Sequence, residues 1–496
     1  MTIQSTRDTA LSTTLRMRAW PPQSLVPAAA LTAMLAVACV FMPVSARTPP
    51  QAAPSALGVP GVGDAQLTPA FWLAQLRNPD QVLLSPAQIA RKNQHVAQNE
   101  DAMHDLAELP ALLPRAQVQR WIQAYDAVLQ RALFDEQGQP LPEAQIRRLR
   151  DSTALDAVQE QTVPRFGLVV QRAAMRAFPT ALRVFNRAGE TDIDRFQESA
   201  EFPGTPVAIV HASRDGDWLF VVSQRYAAWM EKRFVAEGPK AVVLGYGKQA
   251  PYRIVTAAKT QTVYTREAPR VSELQLDMGV RIPLARQQTA NADDAHVNGQ
   301  HPFTAWVLEL PVREADGKLS FAPALLPKRD DSQPDYLPLT QANILTQAFK
   351  FLGERYGWGH SYNGRDCSGF VAEVYRSMGI ILPRNTSDQA TSPGLQPRRF
   401  DQSSSRAERE AAIAQLEVGD LIYIPGHVMM MIGRVDGEPY VIHDTNGGSV
   451  RDANGQLRSL RLNGVVVTPL RPLMYGKDAN YVDRMTSIVR IATPAP

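Results

Sequence analysis

An α+β multidomain chain is the fold class the sequence predicts, and three observations predict it. Its 496 residues exceed a single core at roughly 150 residues per domain. Apolar residues recur at helical spacing in the first part of the chain, alternate from Pro164 to about Arg313, and do both in the last third. Prolines (38) outnumber glycines (30), which suits short strands and extended connections better than long helices. With 44% hydrophobic and 20% charged residues the composition is globular, which argues against a disordered chain, a coiled coil or a polytopic membrane protein. A net charge of only +3 is far from the basic surface that displaces counterions from phosphate, so no nucleic-acid partner is expected.

Residues 1–46 read as a secretory signal: Arg16 and Arg18 precede an apolar stretch from Leu25 to Met42, and Val44-Ser45-Ala46 supplies small residues for cleavage. A variant reading is a lipoprotein, since Leu35-Ala36-Val37-Ala38-Cys39 approximates a lipobox. Residues 47–64 are a Pro- and Ala-rich linker. Residues 65–160 read as a helical N-terminal domain, with Phe71-Trp72, Leu106 to Leu113 and Trp121 to Leu133 at helical spacing. Two small β-barrels follow over 161–234 and 235–315. Val207 to His211, Trp218 to Val222, Ala241 to Leu244 and Arg253 to Val255 are strand-like, and Asp215-Gly216 is a turn. Gln287 to Gln300 lacks periodicity and reads as an exposed loop.

Residues 330–496 form the α+β unit. Thr340 is placed to cap a helix bearing Ile344, Leu345, Ala348, Phe351 and Leu352. A second helix starts at Asp366 and ends at Gly379. Strands follow at Asp420 to Ile424, His427 to Arg434, Tyr440 to His443 and Gly464 to Pro469. Pro397 to Glu410 reads as a polar surface insertion.

Only Cys39 and Cys367 exist, and signal cleavage leaves one thiol in an oxidising compartment. Cys367 opens a helix, where orphan N–H groups and the positive dipole end favour thiolate. His427 and His443, at the edges of neighbouring strands, are the candidate base and its orienting partner. Strand register tests this. A two-residue Asp436-Gly437 turn would put His443 opposite Met430 and the two rings on different faces. A three-residue loop Val435-Asp436-Gly437 with a bulge at Gly437 shifts the pairing by one, brings His443 opposite Met429, and is therefore expected. A metal site is not expected, because no C-x-x-C or H-x-x-x-H spacing appears, and no cofactor is implied. Tyr356 is either an oxyanion donor beside the Cys367 amide or a core aromatic. Arg384 is either on the cleft rim or part of a capped helix start.

These residues resemble the NlpC/P60 family of cell-wall cysteine peptidases. The signature stands here as Tyr356-Gly357-Trp358-Gly359-His360, Asp366-Cys367-Ser368-Gly369-Phe370, Leu382-Pro383-Arg384, Gly419-Asp420-Leu421 and Gly426-His427-Val428. Two departures are His360, where the family has glycine, and Met429-Met430-Met431. Arg165 to Val169 through Thr180, Gly204 to Val207 and Asp215 to Trp218 look like the bacterial SH3 (SH3b) barrel of multidomain members. Phe71-Trp72, Asn78-Pro79-Asp80 and Leu84 to Ile89 look like their N-terminal stabilising domain. The resemblance implies two SH3-like barrels before a papain-like catalytic domain. It also implies hydrolysis of the γ-D-glutamyl-L-diamino acid bond, typically to meso-diaminopimelate, in peptidoglycan stem peptides or murein fragments carrying a free N-terminal L-alanine. By that resemblance Tyr356, Asp366 and Ser368 contact substrate, with Asp366 the amine counterion, a helix N-cap, or both. Thr386 or Ser387 is placed to add a hydroxyl. The expected protein is a monomer of the periplasm or cell envelope, touching membrane only through its signal or a lipid on Cys39. The rival readings are a non-catalytic wall-binding SH3b protein and an N-acetylmuramoyl-L-alanine amidase.

Overall fold

The computed structural model describes residues 58–285, 296–452 and 454–495. The expected signal over 1–46, Cys39 within it, most of the linker and most of the Gln287–Gln300 loop lie outside the described residues. No helix among the described residues is long and apolar enough to cross a membrane.

The catalytic-type unit is built on a six-stranded sheet. Its order is Arg398–Arg399, Ser487–Val489, Leu421–Ile424, His427–Val435, Glu438–Thr445, Gly464–Pro469, antiparallel throughout. Alternation gives it two buried faces. Val428, Met430, Ile432 and Ile442 pack under the Cys367–Arg376 and Gln341–Phe349 helices, while Met429, Met431 and Val441 face the Arg406–Ala414 helix and the C-terminal strands. The expected surface insertion at Pro397 to Glu410 is thus part of the architecture: it supplies an edge strand and a helix start capped by Ser405.

The turn before His443 differs from the expected three-residue loop. Val435 pairs with Glu438 across a two-residue turn in which Asp436 (φ 50°) and Gly437 (φ 81°) are both left-handed. The shift by one residue comes instead from a bulge inside the strand between Met431 and Gly433, beyond which Met430 pairs with Ile442. That register brings His443 opposite Met429, on the face of His427. The bulge sits at Gly433 because Trp72 lies against it: a Cβ there would fall 2.6 Å from Trp72 Cε3.

The first barrel is a seven-stranded antiparallel sheet in the order Gln197–Glu201, Ala173–Arg176, Ala227–Glu231, Trp218–Val222, Pro206–Ala212, Arg165–Val169, Val235–Gly238. Its boundary therefore falls after Gly238 rather than at 234. Ala241 to Leu244, expected as a strand, lies in the Lys240–Tyr246 helix. Pro239 starts that helix and Val243 and Tyr246 bury against the barrel core. A four-residue apolar run has no periodicity with which to tell the two apart. The second β-rich unit reaches Gln333, past the expected 315, because Ser332–Gln333 pairs with Tyr252–Val255. Its core gathers Val255, Leu276, Ile282, Leu308 and Leu326.

The N-terminal segment is helical in part, at Pro86–Gln98, Arg115–Gln123 and Glu143–Ser152. It is not a domain with a core of its own, as the 65–160 expectation had it. Trp72, Leu84, Ile89 and Val96 bury in the core beneath the Cys367 helix, whereas Leu113, Val118 and Ile122 bury in the first barrel. Leu129, Leu133 and Leu149 form a further cluster, but Ala177, Phe178, Val184 and Phe196 complete it, so the segment closes no core by itself. A buried ion network locks the units together: Arg365 pairs with Asp277 of the second β-rich unit (2.9 Å), Glu354 (2.7 Å) and Glu373, and Arg172 of the first barrel pairs with the same Asp277 (2.9 Å).

Candidate active site

Asp366, extended at φ −98° and ψ 178°, caps the Cys367–Arg376 helix by accepting the Gly369 amide at 2.8 Å. Cys367 thus occupies the first helical turn, and its own amide and that of Ser368 have no hydrogen-bond partner among the described residues. The thiol is 5% exposed and lines a cavity of about 590 Å³ with Tyr356, Asp366, Ser368, Thr386 and, from the first barrel, Glu198. Thr386 Oγ1 lies 3.5 Å from Cys367 Sγ.

The two histidines are brought together. His427 Nε2 and His443 Nδ1 are 2.8 Å apart, and His443 Nε2 is 3.0 Å from Thr468 Oγ1. Among the described residues His427 Nδ1 makes no hydrogen bond, and Cys367 Sγ makes none to either ring; the Val428 amide, next to His427, faces the sulfur. Only one tautomer set leaves Nδ1 of His427 as a proton acceptor. In that set His427 carries its proton on Nε2 and donates to His443 Nδ1, and His443 donates from Nε2 to Thr468; the reverse set, with Thr468 donating to His443, fits the same distances.

Electrostatics correct the expectation of a preformed thiolate. Burial, with the Asp366 carboxylate behind it, pushes the Cys367 thiol up to about 11, while burial pulls His427 down to about 4 and His443 well below the ordinary imidazole range. The resting pair is a neutral thiol and a neutral imidazole. Tyr356 is likewise held protonated by burial and by the neighbouring Asp366 charge, which keeps its hydroxyl a donor.

Arg384 lines the cleft cavity just before the Thr386–Thr391 helix, and it does more than either expectation. It is buried at 3% exposure, where it donates to Asp366 Oδ2 (2.8 Å), His360 Nδ1 (2.9 Å), Ser368 Oγ (3.0 Å) and, across the domain boundary, Ser199 Oγ (2.8 Å). With Gly359 and Gly369 amides also on Asp366, that carboxylate has its acceptor sites filled. Burial would raise it, but the Arg384 guanidinium and the Gly369 amide hold it down at about 2. His360, the departure from the family turn, serves this hub. It accepts from Arg384 on Nδ1 and donates from Nε2 to Glu373 at 3.0 Å, and burial together with the Arg384 charge keeps it neutral. The turn itself abuts the barrel: Gly359 (φ 56°) accepts from Gln197 Nε2 at 2.8 Å, and a Cβ on it would lie 2.8 Å from the Gln197 carbonyl.

The NlpC/P60 family matches residues 353–467, which span Tyr356, Cys367, His427 and His443. The chain carries an NlpC/P60 domain. An SH3 domain of SH3b1 type matches residues 183–231, within the first barrel. Over 204 residues the chain is 28% identical to the gamma-D-glutamyl-L-lysine dipeptidyl-peptidase of Bacillus cereus, covering 39% of this chain and 54% of that protein. The match thus spans only about half of that relative's length. Over 255 residues it is 23% identical to dipeptidyl-peptidase 6 of Lysinibacillus sphaericus, 51% of this chain and 81% of the relative. In fold it is similar to an NlpC/P60 endopeptidase from Photobacterium damselae subsp. piscicida, with a TM-score of 0.68 at 15% identity over 86% of this chain and 97% of that one.

Two residues beside the NlpC/P60 cleft escaped the sequence reading. Glu198 reaches the cavity from the barrel, where Tyr226 donates to its Oε2 at 2.6 Å and burial raises its carboxyl. Nothing in Gln197-Glu198-Ser199 sets it apart from any strand charge. Thr468 was legible in principle, as the one hydroxyl among the buried residues of Gly464–Pro469, two positions from Val466, which pairs with His443.

Proposed function

We propose that the protein is a secreted peptidoglycan endopeptidase that hydrolyses the γ-D-glutamyl-L-diamino acid bond of stem peptides through Cys367. The observation that carries this is a helix-start thiol lining a cavity, with the hydrogen-bonded His427–His443 pair on adjacent strands. His427 Nδ1 removes the Cys367 proton as Sγ attacks the γ-glutamyl carbonyl, and the oxyanion forms between the Cys367 amide and the Tyr356 hydroxyl. The tetrahedral adduct collapses to a thioester as His427 returns the proton to the departing amine. Water, deprotonated by His427, then releases the glutamyl carboxylate and restores the thiol. His443 and Thr468 hold the ring; the Cys367 thiol need not be ionised beforehand.

Glu198, rather than the saturated Asp366, is the carboxylate free to meet a substrate ammonium, which fits a free N-terminal L-alanine placed against the barrel. The curated relative named for γ-D-glutamyl-L-lysine cleavage supports the same bond class. Residues 1–46 would direct export to the periplasm or cell envelope. Mass spectrometry of the mature N-terminus tests this and decides between simple cleavage and a lipid on Cys39. Function is tested by incubating L-Ala-γ-D-Glu-diaminopimelate with the protein and with Cys367→Ala. Release of L-Ala-γ-D-Glu by the unmodified chain alone is expected, and no release overturns the assignment. Release of the intact peptide from N-acetylmuramoyl peptide instead would establish an amidase.

A further inference from the structure

A second cavity, of about 210 Å³, lies where the barrel, the second β-rich unit and the catalytic unit meet, at the far end of the Cys367–Arg376 helix. Arg376 ends that helix, roughly 14 Å along its axis from Cys367 at about 1.5 Å per residue. Glu201 and Arg225 come from the first barrel, Arg281 from the second unit, and Tyr336 from the connecting segment.

The arginines here are treated unlike the others at these interfaces. Arg172, Arg365 and Arg384 each pair with a buried carboxylate. Arg281 is occupied by the carbonyls of Gly247 and Gln249 and stacks on Tyr252 with 3.6 Å to the ring centroid. Arg225 and Arg376, by contrast, enter no side-chain hydrogen bond and no ion pair among the described residues, although both line the cavity. The Arg376 guanidinium lies over the Phe202 face, at 5.7 Å, and its stem packs against Gly279. Glu201, 4% exposed, also has no side-chain hydrogen bond or ion pair among the described residues. Two half-buried guanidiniums lining one cavity repel each other, and partial removal from water is unfavourable without a counterion. Desolvation draws Arg225 down to about 10 with Glu201 opposing, so it stays charged at neutral pH. Three arginines against one glutamate leave two positive charges uncompensated in a cavity of small-molecule size.

We propose that this junction cavity binds a small dianion, a phosphate or a dicarboxylate, held between the planar forks of Arg225 and Arg376. A guanidinium meets either group with two parallel N–H donors, and two of them facing one cavity grip a dianion from opposite sides. The ligand would tie the end of the helix that starts with Cys367 to the turn whose next residue, Tyr226, holds Glu198 in the cleft. This inference is independent of the reaction assigned to Cys367.

The test is thermal unfolding of the full chain near neutral pH, titrated with inorganic phosphate or with succinate against sodium chloride of matched ionic strength. A saturable rise in Tm with at least one dianion, beyond the chloride control, is expected, and which of the two acts identifies the chemistry. Arg225→Gln and Arg376→Gln should abolish the rise while the circular-dichroism spectrum and a cooperative unfolding transition persist, which certifies folding. Should those variants fail to fold, Arg225→Lys keeps the charge but loses the fork and should weaken binding by roughly tenfold. A response no larger than with chloride, or one unchanged in folded variants, overturns the proposal.

Discussion

Replacing Thr468 by valine keeps the side-chain shape and deletes the hydroxyl on which the imidazole chain ends. Thr468 is fully buried, and its Oγ1 lies 3.0 Å from His443 Nε2. In the variant the Nε2–H of His443 is left unpaired in the interior, at a cost of about 1–3 kcal/mol. His443 escapes that cost by moving its proton to Nδ1, where it meets His427 Nε2. His427 must then carry its own proton on Nδ1, the nitrogen that has to accept from the thiol. The competent tautomer is thereby disfavoured by about the same 1–3 kcal/mol, which corresponds to a fall in kcat/KM of roughly 5- to 150-fold. The assay is amine release from L-Ala-γ-D-Glu-diaminopimelate, with circular dichroism to certify folding. Thr468→Ser should recover most of the rate, since it restores an acceptor. A valine variant within about twofold of the parent, a change under 0.5 kcal/mol, refutes the tautomer argument.

The pH profile of kcat/KM should hold a plateau between an acid limb near 4, where His427 protonates, and an alkaline limb near 11, where the thiol ionises; a limb at the ordinary imidazole value would show that burial does not govern the base. Arg384→Gln strands Asp366 as a buried unpaired charge and should lower stability by about 3–5 kcal/mol in urea unfolding. Because Asp366 is held below its ordinary value, its stabilisation is full above about pH 4 and fades as pH falls toward 2, so the variant should also lose part of the parent's acid sensitivity in that window. Glu198→Gln should raise KM roughly 10- to 100-fold for peptides with a free L-alanine amine and leave N-acetylated peptides unaffected; equal effects on both would remove the ammonium contact. Gly433→Ala drives a methyl against Trp72 and should cost about 1–3 kcal/mol in thermal unfolding, with the Trp72 fluorescence signal moving first.

The sequence shows most clearly what is local. Asp366 caps its helix, Gly379 (φ 82°) terminates the descent from it, and Thr340 accepts the Asn343 amide, each a short-range signal with a single physical solution. Register was half legible. The demand that both rings share a face required one extra residue, but the alternation of Met429 to Ile432 gives no hint that the bulge sits at Gly433, because its cause, Trp72, lies more than 350 positions earlier. Arg384 and Glu198 were illegible for the same reason. Their roles depend on Ser199, Tyr226 and Asp366, which tertiary packing gathers from two units. Thiol reactivity was misjudged because a helix start raises thiolate character only where water can reach it, and at 5% exposure desolvation outweighs the dipole.

The ribbon from residue 58 to 160 divides its apolar residues among cores that other units complete. Such a chain is mortar rather than a brick. Excising the C-terminal unit alone would uncover the trough that Trp72, Leu84 and Val96 fill, a greasy stripe expected to drive self-association. Recombining these units with foreign partners would therefore succeed only if the ribbon travelled with both of the surfaces it cements.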